Sequence, residues 1–102
     1  MLITHLAKQA TPFLTANPNP ISSNGTGVAS TELQWSAPNS STVQIRVGAP
    51  DGVLFAEGGS TGTAATGTWV TNGMLFYLQD VTGGKPLTSA NTLAVLIVQL
   101  SN

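Results

Sequence analysis

The stretch over residues 68–81, TWVTNGMLFYLQDV, constrains the fold more than any other part of this sequence. Its Asn72-Gly73 pair is typical of a tight turn, because both residue types tolerate positive φ at little steric cost. After the turn, side chains alternate in character, so that a β-strand would bury one face and keep a more polar face outside. The inward set is Met74, Phe76 and Leu78, and the outward set is Leu75, Tyr77 and Gln79. The stretch therefore predicts a central core strand.

Shorter segments between turn signals repeat this alternation. In one of them, Leu33 and Trp35 share a face, and in another Val43, Ile45 and Val47 do so. The predicted strands cover residues 13–16, 31–36, 42–48, 53–56, a thin strand after a loop within 57–67, 74–79 and 93–100. Because no helical period appears, these segments predict an all-β fold, an antiparallel two-sheet sandwich of about seven strands. A closed barrel or jelly roll is the alternative.

The length of 102 residues predicts a single domain with one core. Residues 1–12 show no clear period, and we interpret them as an N-terminal arm or an extra edge strand. Residues 13–102 would form the sandwich. Pro18 and Pro20 follow the first predicted strand and remove donors from the hydrogen-bond ladder, which favours a position at the edge of a sheet.

Charge is scarce in this chain and limits the partners that it could attract. Charged residues make up 7% of the sequence and apolar residues 41%, with a net charge of −1. Lys8, Arg46 and Lys85 are far apart in sequence, so we expect no nucleic-acid binding. The longest apolar run, residues 93–98, is too short to span a membrane. Such a composition is typical of secreted or cell-surface β modules, and we expect a soluble module of a larger protein of that kind.

No group of residues has the composition of a catalytic or cofactor site. The chain has no cysteine, and its one histidine, His5, lies in the predicted arm. The four carboxylates are explained by strand faces and turns and are not neighbours in sequence; they are Glu32, Asp51, Glu57 and Asp80. Zinc sites and nucleophilic catalysis need clusters that are missing here, and the glycine-rich ribbon has no phosphate-loop order. We therefore predict no enzymatic activity, no catalytic residues, no metal and no cofactor.

Two segments resemble a known family. Residues 33–38, LQWSAP, followed by the alternating Val43, Ile45 and Val47, look like the second and third strands of fibronectin type III and related immunoglobulin-like domains. Residues 70–76 resemble the corner before the sixth strand of that family, although Phe76 stands where a tyrosine is usual. The resemblance implies an immunoglobulin-like sandwich with Trp35 in its core. It also implies a non-catalytic accessory, spacer or protein-interaction module of the kind found in bacterial extracellular proteins.

Two surfaces could bind a partner. Trp69, Tyr77 and Arg46 could form an aromatic patch for a sugar, which makes a carbohydrate-binding module the alternative function. The last predicted strand is apolar on both faces, one with Leu93, Val95 and Ile97 and the other with Ala94, Leu96, Val98 and Leu100. A sandwich strand needs only one apolar face. The second face therefore predicts either a homodimer through this strand or a cover formed by the arm, and protein partners include neighbouring domains.

Overall fold

The computed structural model describes residues 11–23 and 25–101, so that nearly all of the predicted arm, with His5, lies outside the described residues. The strands in the described part are β1 (Phe13–Asn17), β2 (Ile21–Ser22), β3 (Glu32–Ser36), β4 (Val43–Val47), β5 (Val53–Gly58), β6 (Thr61–Ala65), β7 (Met74–Asp80), β8 (Thr92–Val98) and β9 (Leu100–Ser101). Two short 3-10 turns, Thr82–Gly84 and Ser89–Asn91, separate β7 from β8. No helix in these ranges is long and apolar enough to cross a membrane.

The strands form two antiparallel sheets, one ordered β1-β3-β6 and the other β5-β4-β7-β8. The prediction of an all-β, antiparallel two-sheet sandwich is confirmed, and seven of the described strands have five residues or more. The chain passes between the sheets at Gly59 and Ser60, which separate β5 from β6. The sequence did not predict the short parallel pair of β2 with β9.

The predicted alternation of β3 and β4 is confirmed. Leu33 and Trp35 are buried on β3, whereas Glu32 and Gln34 are exposed. The buried apolar side chains of both sheets meet in one cluster, which comprises Leu14, Ile21, Ala29, Leu33, Trp35, Ala37, Val43, Ile45, Val70, Phe76, Leu78 and Val98. Burial of this apolar surface is the main source of stability in a chain without disulfides.

The position of the Trp35 ring explains why glycines occupy the end of β5 and a position within β6. It lies directly opposite Gly62 on β6, where an added Cβ would come within 2.3 Å of Trp35 Cζ2. The corresponding distance at Gly58 is 3.0 Å. The Trp35 indole N–H donates to the Gly59 carbonyl at 3.1 Å. Residues 57–67 were predicted as a loop plus a thin strand. β6 is that strand, but β5 continues to Gly58, so the loop is shorter than predicted.

The second face of β7 was predicted to be an outer, polar face along its whole length. This prediction is wrong at Gln79. Its side chain is fully buried. Its amide Nε2 donates to the Thr88 carbonyl at 3.0 Å, and the Thr92 hydroxyl donates to its Oε1. The segment between β7 and β8 thus covers this end of the sheet and supplies the partners that a buried amide requires.

The predicted edge position of the first strand is confirmed, since β1 is outermost in its sheet. After β1 the chain crosses to the other sheet. The Asn19 side-chain amide donates to the Ile97 carbonyl at 3.2 Å, and its oxygen accepts from the Gln99 amide at 2.9 Å. Ile21 then donates to the Gln99 carbonyl at 2.8 Å. The segment therefore joins the two sheets along one side of the sandwich.

Candidate functional site

The outer face of the four-stranded sheet brings two of the three predicted site residues together. Arg46 on β4 lies directly opposite Tyr77 on β7. On the two outer strands, Leu54 of β5 lies opposite Arg46, and Val95 of β8 lies opposite Tyr77. Side chains directly opposite one another on adjacent strands are about 5 Å apart at their Cβ atoms. The four residues therefore form one continuous row across the sheet.

Arg46 is held in place by its neighbours. Its Nε and one terminal nitrogen donate to the Gln44 oxygen at 3.1 Å and 2.6 Å, and its other terminal nitrogen donates to the Gly52 carbonyl at 3.0 Å. The Gln44 amide in turn donates to Glu57 at 3.0 Å. This chain of hydrogen bonds connects β4 to β5 and the turn between them. Most of the donor capacity of the guanidinium is therefore already used inside the protein.

Trp69, the third predicted site residue, lies elsewhere. Its ring centre is 5.7 Å from that of Phe55, edge to face, and 6.2 Å from that of Phe76. Phe76 and Tyr77 are consecutive in β7, so their side chains point to opposite faces of the sheet. Trp69 thus belongs with the inward-facing Phe76 and away from the Arg46–Tyr77 row.

A carbon-lined groove of about 290 Å³ lies beside Trp69. We call it the Trp69 groove; its lining residues are Val47, Val53, Leu54, Phe55, Trp69 and Met74. The two edge-to-face contacts of Phe55, with Trp69 and with Phe76 at 5.9 Å, fix the rings on one side of it. Strand alternation was enough to predict that Tyr77 and Phe76 point to opposite faces of β7. Trp69 lies between β6 and β7, where side chains do not alternate, so the sequence does not indicate which way its ring points.

No family model, curated protein or solved structure matches this chain.

The second apolar face of the last strand is exposed in the described part of the chain, and nearly all of the arm, which was predicted as its alternative cover, lies outside the described residues. Val95 and Ile97 are 51% and 52% exposed and lie opposite Tyr77 and Leu75 on β7. We call these two residues the β8 face. Leu93 was predicted to share this face, but the register shifts next to it, and Leu93 instead packs against the core cluster. A bulge inserts one extra residue into a strand, so side chains beyond it point to the opposite face from the one that strict alternation predicts.

The outer face of the three-stranded sheet collects uncharged polar residues that were not predicted as a site. Phe13, Ser36 and Thr61 lie opposite one another on β1, β3 and β6, and Gln34 and Thr63 form the next row. Together with Trp35 and Gly62 they line a shallow depression of about 400 Å³. The outward direction of Gln34 and Ser36 follows from alternation. The pairing of β3 with β6, which assembles the depression, has no sequence signal.

Asp80 is the most strongly organised carboxylate in the described chain. Lys85 Nζ lies 2.6 Å from one oxygen, and the Thr82 amide donates to the other at 3.0 Å. Burial acts to raise the pKa of the carboxyl, but hydrogen bonds from Lys85, Thr82 and Ser40 outweigh burial and lower the pKa from 3.8 to about 2. The Thr82 hydroxyl also accepts from the amides of the 41–42 segment. These contacts explain Asp80 as a residue that fixes a loop.

We expect Asp80→Asn to change the acid dependence of stability. A carboxyl whose pKa is lower in the folded state stabilises the protein fully above its ordinary pKa, and this stabilisation is lost as the pH falls toward the folded value. The free energy of unfolding of the natural chain should therefore fall between about pH 4 and pH 2, and more steeply than that of Asp80→Asn. Urea denaturation at pH 5, 3 and 2 measures both slopes.

Lys85→Gln is the matched variant for this experiment. It removes the ion pair and keeps the Thr82 hydrogen bonds, so its slope should lie between those of the natural chain and Asp80→Asn. Equal slopes for the natural chain and Asp80→Asn would contradict the assignment.

Among the described residues, no three His, Asp or Glu side chains converge on a point that could hold a metal ion. Glu57 is bonded to Gln44, and Asp80 to Lys85 and Thr82. The open surfaces of the described chain are instead the Arg46–Tyr77 row, the Trp69 groove, the β8 face and the polar depression on the other sheet.

Proposed function

We propose that this chain is a non-catalytic, immunoglobulin-like accessory module that acts by binding protein, including a second copy of itself. The strand order supports this proposal. The seven longer strands, counted along the chain, fall into sheets ordered 1-2-5 and 4-3-6-7. As in immunoglobulin-like sandwiches, strands 1, 2 and 5 share one sheet and strands 3, 6 and 7 share the other, whereas strand 4 here lies beside strand 3. The burial of Trp35 on the second of them also agrees with the resemblance.

Exposure of the β8 face is the observation that carries the interaction role. Val95 and Ile97 are adjacent on the outward side of β8, and Leu75 and Tyr77 extend the apolar surface onto β7. Contiguous exposed apolar surface on a small protein usually marks an interface. With 7% charged residues and a net charge of −1, the chain has little electrostatic repulsion to prevent self-association. The proposed contact is a homodimer through β8, in a module that belongs to a secreted or cell-surface protein.

Light scattering over a range of protein concentrations tests the homodimer. The natural chain should show a dimer fraction that rises with concentration, and Ile97→Lys should remain monomeric, because a lysine in the contact would bury an unpaired charge. Val53→Lys is the matched control: Val53 is an apolar residue, 73% exposed, on β5 at the opposite edge of the same sheet. It should dimerise like the natural chain. A natural chain that stays monomeric at all concentrations, or two lysine variants that behave alike, would contradict the proposed contact.

The Arg46–Tyr77 row favours carbohydrate binding as a second candidate function. A tyrosine ring beside a guanidinium offers an apolar surface and hydrogen-bond donors on an open sheet face. Two observations weigh against this row as the site. Trp69 is not part of it, and the guanidinium is already bonded to Gln44 and Gly52.

A further inference from the structure

The polar depression on the three-stranded sheet has the arrangement of a binding site. We call it the Phe13 face and define it by Phe13, Gln34, Ser36, Thr61 and Thr63. Three antiparallel strands carry these residues in two rows. Two strand spacings and one two-residue step give a footprint of about 10 Å by 7 Å. This area matches one or two sugar rings lying flat.

The polar side chains of the Phe13 face have hydrogen-bonding capacity to offer. Within residues 11–23 and 25–101, the protein hydrogen bonds include none from the side chains of Gln34, Ser36, Thr61 or Thr63. By contrast, the side-chain amides of Gln44 and Gln79 donate hydrogen bonds to other groups of the protein. An unengaged glutamine amide presents a donor and an acceptor side by side, which fits two neighbouring hydroxyl groups.

The apolar part of the depression comes from the ring of Phe13. Phe13 is exposed at one corner. Trp35 and Gly62 lie opposite each other between the two rows, and the Trp35 side chain points inward, so the floor is formed by the backbone of these two residues. Ligand sites commonly combine aromatic surface with a few polar groups that fix orientation. A sugar ring presents the matching surfaces, since its C–H groups form an apolar face and its hydroxyls lie around the rim.

No charged side chain lines the depression, so nothing in it would compensate a charged ligand. We propose that the Phe13 face binds a neutral saccharide, with a ring stacked on Phe13 and hydroxyls bonded to Gln34, Thr61 and Thr63. This site lies on the opposite sheet from the Arg46–Tyr77 row and the β8 face, and it is independent of dimerisation.

The proposal is tested by following backbone amide NMR signals while neutral oligosaccharides are added to the full chain at millimolar concentration. The probes are oligomers of glucose in β-1,4 and β-1,3 linkage, of xylose, of mannose and of N-acetylglucosamine, with oligogalacturonate as the charged comparator. At least one neutral probe should shift the signals of residues 13, 34–36 and 61–63, and the comparator should not. Absence of these shifts with every neutral probe, or equal shifts with oligogalacturonate, would overturn the proposal.

Three variants assign the binding to this surface. Phe13→Ala should weaken it about tenfold, because a stacked ring is lost from an exposed position. Thr63→Val replaces a hydroxyl by a methyl group of similar shape on a strand and should also weaken binding. Tyr77→Ala should leave it unchanged. Loss of binding in Tyr77→Ala with retention in Phe13→Ala would place the sugar on the other sheet and overturn the proposal.

Discussion

Trp35→Ala is expected to lower the free energy of unfolding by about 3–5 kcal/mol, which is the usual cost of truncating a buried tryptophan. The side chain is 5% exposed, packs over Gly62 and donates its indole N–H to Gly59. Since domains of this size are stable by about 5–15 kcal/mol, the variant should be barely folded. Urea denaturation followed by circular dichroism measures the loss.

Trp69→Ala is the control for this substitution. Trp69 is 40% exposed and packs mainly against Phe55 and Phe76, so its truncation should cost about 1–2 kcal/mol. If Trp69→Ala were the more destabilising of the two, or if Trp35→Ala left the midpoint unchanged, the core would not be organised around Trp35.

Gly62→Ala is expected to destabilise the chain by about 1–3 kcal/mol, because the added methyl group would overlap the Trp35 ring. Its Cβ would lie 2.3 Å from Cζ2 and 2.8 Å from both Cε2 and Cη2 of that ring. The ring is almost fully buried and packs against Gly58 as well as Gly62, so a shift of the ring would disturb its contacts with the core. Thermal or urea denaturation gives the change.

Two further variants separate this overlap from the general effect of replacing a glycine. Gly59→Ala meets no atom closer than 3.9 Å and should change stability by less than about 0.5 kcal/mol. In a Trp35→Phe background the distal indole atoms are absent, so Gly62→Ala should cost less there than in the natural chain. Additive effects of Trp35→Phe and Gly62→Ala would contradict a direct contact between the two residues.

Alternation within single strands was sufficient to predict the inward residues of β3, β4 and most of β7. The reason is local: successive side chains in a strand point to opposite faces, so Leu33 and Trp35 must share one face whatever the rest of the chain does. The burial of Trp35 follows from this period and from the resemblance to fibronectin type III strands.

The wrong predictions arise where distant parts of the chain meet. Gln79 is buried because Thr88 and Thr92 cover it. The sequence of β7 contains no pattern that indicates such a cover. Leu93 turns toward the core because the β7–β8 register shifts beside it.

The prediction of surfaces was limited for the same reason, because the sequence does not indicate which strands pair within a sheet. Arg46 and Tyr77 were both predicted to point outward, but only strand pairing shows that they are direct neighbours and that Trp69 is not. The Phe13 face depends on β6 leaving the sheet of β5 and pairing with β3, a choice that the two residues Gly59 and Ser60 do not reveal.

Hydrogen exchange of the natural chain at two protein concentrations tests the proposed interaction role most directly. If the β8 face forms the dimer contact, the amides of β8 should exchange more slowly at the higher concentration, while those of β5 at the opposite edge should exchange at the same rate at both. Exchange in β8 that is independent of concentration, or protection that appears only in β5, would contradict the account.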